Sequence, residues 1–262
     1  MVKGYPVLQR INNPIFTFYF MMENHTQKLK SDKREVVESM FDSIAWRYDF
    51  LNHFLSFSID RIWRRRAIRE ISKFKNNPTI LDVATGTGDL AIASIKLNPS
   101  MVKGIDISKK MLEFGKIKIE KKGLSERIEL LEGDSEDITF RDNSFDVAMV
   151  AFGVRNFSDP LRGLSEMNRV LCNDGMIMVL EFSKPSGILF RTVYNFYFRN
   201  ILPFFGKLFS KDKSAYKYLP DSVMSFPDNE EFLRLLSQAG FSRTRQIKLT
   251  GGVASIYTGI KL

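Results

Sequence analysis

Apolar residues begin to repeat at three- and four-residue intervals with Val36, Val37, Met40, Phe41, Ile44 and Tyr48. That period places them on one face of a helix. A second helix follows "LSFSID" (55–60), with Ile59, Trp63, Ala67 and Ile71 stacked at four-residue spacing, and Pro78 closes this helical preamble. The period then changes. Short, nearly continuous apolar runs follow: "TILDVA" (79–84), "MVKGID" (101–106), "IELLEGD" (128–134), "FDVAMVAF" (145–152) and "GMIMVLEF" (175–182). Helical stretches separate them. The clearest is opened by Asp159 as cap and Pro160 in the first turn, and runs through Leu161, Leu164, Met167 and Leu171. Apolar strands alternating with helices predict a parallel sheet covered on both faces.

After an aromatic and basic insertion at 186–219 come a helix ("NEEFLRLLSQAG") and two strands, "FSRTRQIKL" and "VASIYTGIKL". Only Thr250, Gly251 and Gly252 separate those strands, so they form an antiparallel hairpin on the sheet edge. The expected fold is α/β: a doubly wound, mostly parallel seven-stranded sheet with an antiparallel C-terminal hairpin and an N-terminal helical extension. Residues 31–262 read as one domain, with 31–77 as a helical cap.

Composition adds bounds. The 262 residues are 44% hydrophobic and 26% charged, ordinary values for a chain with a buried core. The single cysteine, Cys172, excludes an internal disulfide framework and fits a reducing, cytoplasmic setting. Two histidines and one cysteine leave no dense zinc site. The net charge of +9 is met by nucleic acid, by an anionic membrane surface or by solvent, and composition does not choose among them. No apolar run reaches the roughly 20 residues that span a bilayer. "PIFTFYFMM" (14–22) is too short for a signal core and lacks a small-residue cleavage site. Residues 1–30 are expected to contribute little, as a disordered or spurious extension, since Met21 and Met22 offer later starts.

The candidate chemistry lies at strand ends. "LDVATGTGDLA" (81–91) is a glycine-rich turn in which Gly86 and Gly88 let the backbone approach a ligand at a helix N-terminus. Asp106, at the tip of the second strand, can accept both hydroxyls of a ribose. Those two features alone also satisfy a dinucleotide pattern. Three others separate them from it: Asp82 inside the first strand, Asp134–Ser135 after the third, suited to an adenine edge, and the terminal hairpin. "LDVATGTGD", "IDISKKML" and "GDSEDITF" together resemble the successive motifs of class I S-adenosylmethionine-dependent methyltransferases. The resemblance implies a Rossmann-like fold and S-adenosylmethionine held by Asp82, Gly86, Thr87, Gly88, Asp106, Ile107, Asp134, Ser135 and Ala151.

A closer likeness spans nearly all of 35–262. "MFDSIAWRYDFLNHFLSFSIDRIWRRRAI" (40–68), "AFGVRNFSDP" (151–160), "VLEFSKP" (179–185) and "YKYLPDSVMSFP" (216–227) are similar to the quinone-biosynthesis C-methyltransferases. Many relatives carry a serine where this chain has Ala151. The resemblance implies methylation of demethylmenaquinol in menaquinone biosynthesis, with 2-polyprenyl-6-methoxy-benzoquinol as the alternative substrate.

Methylating an aromatic carbon requires a ring made electron-rich, as a hydroquinone is after losing a phenolic proton, and needs no metal. The protein must orient the ring and favour the phenolate. Arg155, a cation at the tip of the apolar fourth strand beside Asn156, is the candidate anion stabiliser, directly or through a water. As a base it is poor. A salt bridge from Arg155 to Asp49 or Asp159 is the rival reading. Tyr48, Asp49 and Asn52 end the first helix as a candidate lid. Glu181, Ser183, Tyr216 and Tyr218 are further candidates on the substrate side.

Residues 186–213 combine dense aromatics with Arg191, Arg199, Lys207, Lys211 and Lys213, a composition suited to a polyprenyl tail and anionic headgroups. That predicts peripheral attachment at the inner face of the plasma membrane; a homodimer is left open. An RNA methyltransferase using "RIWRRR" (61–66) is the rival class, against which stand dispersed basic residues and no separate RNA-binding module.

Overall fold

The computed structural model describes residues 33–46, 48–49, 56, 58–185 and 214–262, with backbone alone at 214–217 and 219. Asn52, residues 1–30 and the 186–213 segment lie outside the described residues, as does the side chain of Tyr216. Helix α1 covers 33–46, with 48 and 49 also helical. Helix α2 is Ile59–Ser72. Then follow β1 (Thr79–Val83), α3 (Asp89–Ser94), β2 (Met101–Asp106), α4 (Lys109–Lys121), β3 (Ile128–Glu132), β4 (Phe145–Ala151), α5 (Pro160–Val170) and β5 (Leu171–Phe182). The chain ends with α6 (Ser214–Ser225), α7 (Glu230–Gln238), β6 (Phe241–Leu249) and β7 (Ala254–Lys261).

The seven strands run in the order β3-β2-β1-β4-β5-β7-β6. The first five are parallel, and β7 pairs antiparallel with both β5 and β6. The terminal hairpin therefore stands at the sheet edge as expected, its last strand on the inside. Because side chains alternate along a strand, each strand serves two cores. Leu81, Val83, Ala148, Val150, Ile177 and Val179 pack with Leu164 and Met167 of α5 and Phe232 and Leu236 of α7. Ile80, Val147, Met149, Met176 and Met178 pack with Trp63, Ala67 and Ile71 of α2, Leu90 of α3 and Leu112 of α4.

Four local expectations need correction. β1 and β4 stop one residue early, because Ala84 (φ 51°) and Phe152 (φ 58°) leave the extended region; β3 also ends early, at Glu132. β5 starts at Leu171, where the apolar spacing predicts the preceding helix to continue, and bulges past Asp174 before pairing Met176 with Val147. Helix α6 was not expected at all, since Pro220 sits inside it. On α1, Val36 is exposed, and the buried face is carried by Val37, Met40 and Ala45.

Candidate active site

The loops after β1, β2, β3 and β4 meet at the C-terminal edge of the sheet around a cavity of about 380 Å³. This is where open α/β sheets bind ligands. In the glycine loop, Gly86 (φ 56°) turns its N–H onto Asp106, donating to Oδ2 at 2.8 Å. The Ser108 N–H donates to Oδ1 at 2.9 Å. Burial pushes the Asp106 carboxyl up, and these N–H donors oppose the shift. A carboxylate offers about four lone-pair sites, so Asp106 keeps acceptor capacity at the cavity wall for two hydroxyls. Asp134 accepts the Glu136 N–H on Oδ1 (2.9 Å) and pairs with Arg34 through Oδ2 (2.5 Å). Ile107, Ser135, Ala151 and Tyr48 also line the cavity. At Gly153 a Cβ would lie 2.7 Å from the Ala84 Cβ; only glycine lets the tip of β4 press against the glycine loop.

Four expected residues of α1, β1 and the glycine loop do not line the cavity. Gly88 (φ 79°) caps α3 and packs toward Ile119 and Leu130. Thr87 is buried, donates to Asp49 Oδ1 at 2.5 Å and accepts from Lys118 at 2.9 Å. Asp49 is held by that same lysine at 2.6 Å, so it is tied into a polar cluster and does not face the cavity. Asp82 is buried beneath the loop on the α2 side, where its Oδ2 accepts the Thr85 hydroxyl at 2.7 Å.

Burial pushes the Asp82 carboxyl up to about 7, against the Thr85 hydrogen bond and the nearby Arg64. A carboxyl raised in the folded state binds its proton more tightly there than in the unfolded chain. Its contribution is thus most favourable below about pH 4 and is lost as pH rises toward 7. Asp82→Asn is expected to flatten this decline, a difference of about 4 kcal/mol at most. Urea unfolding at pH 4–8 checks it; parallel wild-type and variant profiles would contradict it.

Arg155 lies in the short turn Val154–Asn156 directly after β4. Its Nη1 donates to Glu181 Oε1 at 3.0 Å and also to the Phe152 carbonyl. The two side chains are 8% and 0% exposed, and Arg155 Nε is buried with no hydrogen-bond partner among the described residues. The ion-pair partner is therefore Glu181, neither Asp49 nor Asp159; the latter caps α5. Arg155 does not line the cavity, and Glu181 is too buried to meet a substrate. Desolvation raises the Glu181 pKa, opposed by the Arg155 charge. Ser183 is likewise structural, donating to the Gly252 carbonyl at 2.7 Å and sharing a hydrogen bond with Ser255.

Asn156 does line the cavity. Tyr218 donates its hydroxyl to Asn156 Oδ1 at 3.2 Å, and burial pushes that phenol up. With Oδ1 taken, Asn156 Nδ2 has, among the described residues, a 3.4 Å contact to the Phe152 carbonyl. The amide is thus a donor available at the cavity wall.

Much of the wall carries no distinct signal in the sequence: Arg34, Val37 and Phe41 from α1, Met111 from α4, Phe152 directly after β4, and Phe157 and Arg162 around the start of α5. The α1 apolar stripe was visible, but a stripe facing a cavity has the same period as one facing a core.

The profile of the ubiE/COQ5 methyltransferase family matches residues 26–261. The chain belongs to this family. A relative from Geotalea uraniireducens (strain Rf4), named ubiquinone/menaquinone biosynthesis C-methyltransferase UbiE, is 48% identical over 233 residues, covering 88% of this chain and 98% of the relative. A Bacteroides fragilis relative, named demethylmenaquinone methyltransferase, is 46% identical over 230 residues, covering 87% and 94%. Among solved structures, a SAM-dependent methyltransferase from Aquifex aeolicus superposes with a TM-score of 0.56 at 20% identity, covering 76% of this chain and 89% of that one. The [4+2]-cyclase SpnF gives 0.63 at 17%, covering 86% and 94%. Those two establish the fold alone.

For a member of the ubiE/COQ5 family the cofactor is S-adenosylmethionine, and the cavity suits it. Asp106 has acceptor capacity suited to ribose hydroxyls, Asp134 and Ser135 stand on the same wall, and Ala84 and Gly86 line the cavity beside them.

Proposed function

We propose that this methyltransferase methylates a ring carbon of demethylmenaquinol, giving menaquinol. The observation that carries the choice of substrate is its 46% identity to the Bacteroides fragilis protein of that name. The Geotalea name covers ubiquinone as well, so 2-polyprenyl-6-methoxy-benzoquinol is the competing substrate.

S-adenosylmethionine, when bound, supplies an electrophilic methyl group on a sulfonium. The chain's own part is to hold the quinol ring, exclude water and favour the phenolate. Phe41, Phe152, Phe157 and Tyr48 give the cavity an aromatic wall against which a ring can lie. Asn156 Nδ2 is the donor suited to a developing phenolate oxygen, and such donors contribute about 2.7–4 kcal/mol. Tyr218 fixes the amide so that this nitrogen, not the oxygen, is the free end. Arg155 is a positioning residue: locked to Glu181 and the Phe152 carbonyl, it holds the turn that carries Asn156.

Among the described residues no helix is long and apolar enough to cross a membrane. The aromatic and basic composition of 186–213 supports contact with a prenyl tail at a membrane surface. Extraction of quinones from cells lacking the protein tests the function. Accumulated demethylmenaquinone is expected; normal quinones together with undermethylated RNA would overturn it.

A further inference from the structure

Helix α1 crosses the C-terminal edge of the sheet in strand order. Arg34 pairs with Asp134 after β3 at 2.5 Å, and Asp42 accepts the Ser108 hydroxyl after β2 at 2.6 Å. Asp49 accepts the Thr87 hydroxyl in the glycine loop after β1 at 2.5 Å, and Lys118 of α4 reinforces that contact. The intervals between anchors are eight and seven residues, two helical turns each, or about 10–12 Å of rise. Each step carries the helix to the loop of the next strand in the order β3-β2-β1.

Helical residues advance by about 100° each. On that wheel Arg34, Val37, Phe41 and Tyr48 fall within about 60° of one another, and these are the four α1 residues that line the cavity. Asp42 and Asp49 lie on one flank of this stripe, and Lys33, which donates to the Phe157 carbonyl, lies on the other. The helix thus straddles the cavity, clasped on both sides. Its three main anchors are the loops that also carry Asp134, Asp106 and Gly86.

We propose that Arg34, Asp42 and Asp49 are positioning residues for the cofactor, acting through Asp134, Ser108 and Thr87, so that closing α1 and retaining the cofactor are one coupled event. The inference rests on reading this cavity as the S-adenosylmethionine site. On this proposal a ligand between the loops and α1 leaves when the clasp opens. By linkage, the ligand must then hold the clasp shut to the same degree that the clasp holds the ligand. Arg34 is half exposed, so its removal spares the core.

The test uses S-adenosylhomocysteine as probe on the full chain, with release rates from rapid-mixing displacement and amide exchange over 33–49. In the wild type the probe is expected to slow exchange in α1 at least tenfold. Arg34→Ala should release it about tenfold faster with little change in association rate and lose most of that protection, whereas Arg34→Lys recovers part of both. Asp42→Asn should act in the same direction. Wild-type binding with unchanged exchange in α1, or wild-type release rates in Arg34→Ala and Asp42→Asn, would overturn the coupling. If Asp106→Ala bound the probe as tightly as wild type, the assignment of the cavity itself would fall instead.

Discussion

Replacing Glu181 with alanine is expected to lower the stability of the domain by about 3–5 kcal/mol, the usual result of removing one partner of a buried ion pair. Glu181 is fully buried at the end of β5 and faces a guanidinium that is itself 8% exposed. The favourable worth of the pair is small, because both charges lost their water on folding. The cost of the variant is the charge left behind: among the described residues the Arg155 guanidinium would keep the Phe152 carbonyl and the Phe182 ring, with Nε already unpartnered there. Glu181→Gln keeps a hydrogen-bond acceptor and should lose less. Urea unfolding monitored by circular dichroism measures both, and a loss below about 1 kcal/mol for the alanine variant would mean that the pair is solvated in solution. Fold and function separate in the double variant Arg155→Met, Glu181→Leu. It should recover most of the stability yet remain poorly active, since Asn156 loses its fixed turn. Wild-type turnover in that protein would remove Arg155 from the mechanism.

Asp106→Ala should weaken S-adenosylhomocysteine binding at least tenfold. Two losses combine. The carboxylate is the group suited to ribose hydroxyls, where charged hydrogen bonds contribute about 1.5–3 kcal/mol each. It also ties the Gly86 and Ser108 N–H groups together, holding the loops after β1 and β2 in register. Calorimetric titration gives the constant directly. Unchanged affinity with an intact fold would place the nucleoside elsewhere.

The sheet was legible because its strands are nearly continuous apolar runs, and the glycine loop, Asp106 and Asp134 because their spacing and strand-end position are local. What could not be read depends on long-range register. Glu181 and Arg155 are 26 residues apart and meet because β4 and β5 are neighbours; the charge at 155 was visible but its partner was not. Asp49 and Thr87 carry residue types common in active sites, yet Lys118, 69 residues from Asp49, takes up both. Asp82 was assigned to the cofactor from its place in the motif, but the alternation of β1 turns it toward α2 and away from the cavity. Helix α6 was hidden by Pro220, which local propensity reads as a breaker and tertiary packing overrides: Val223 in its last turn and Phe226 just past its end are buried.

The proposed reaction is a methyl transfer to a naphthoquinol ring beside Asn156. It is tested most directly by giving the purified protein methyl-labelled S-adenosylmethionine with reduced demethylmenaquinone and, separately, with reduced 2-polyprenyl-6-methoxy-benzoquinone. Label is expected in menaquinone and, for Asn156→Ala, at a rate about a hundredfold lower. Label only in the benzoquinone product, or in neither, would contradict it.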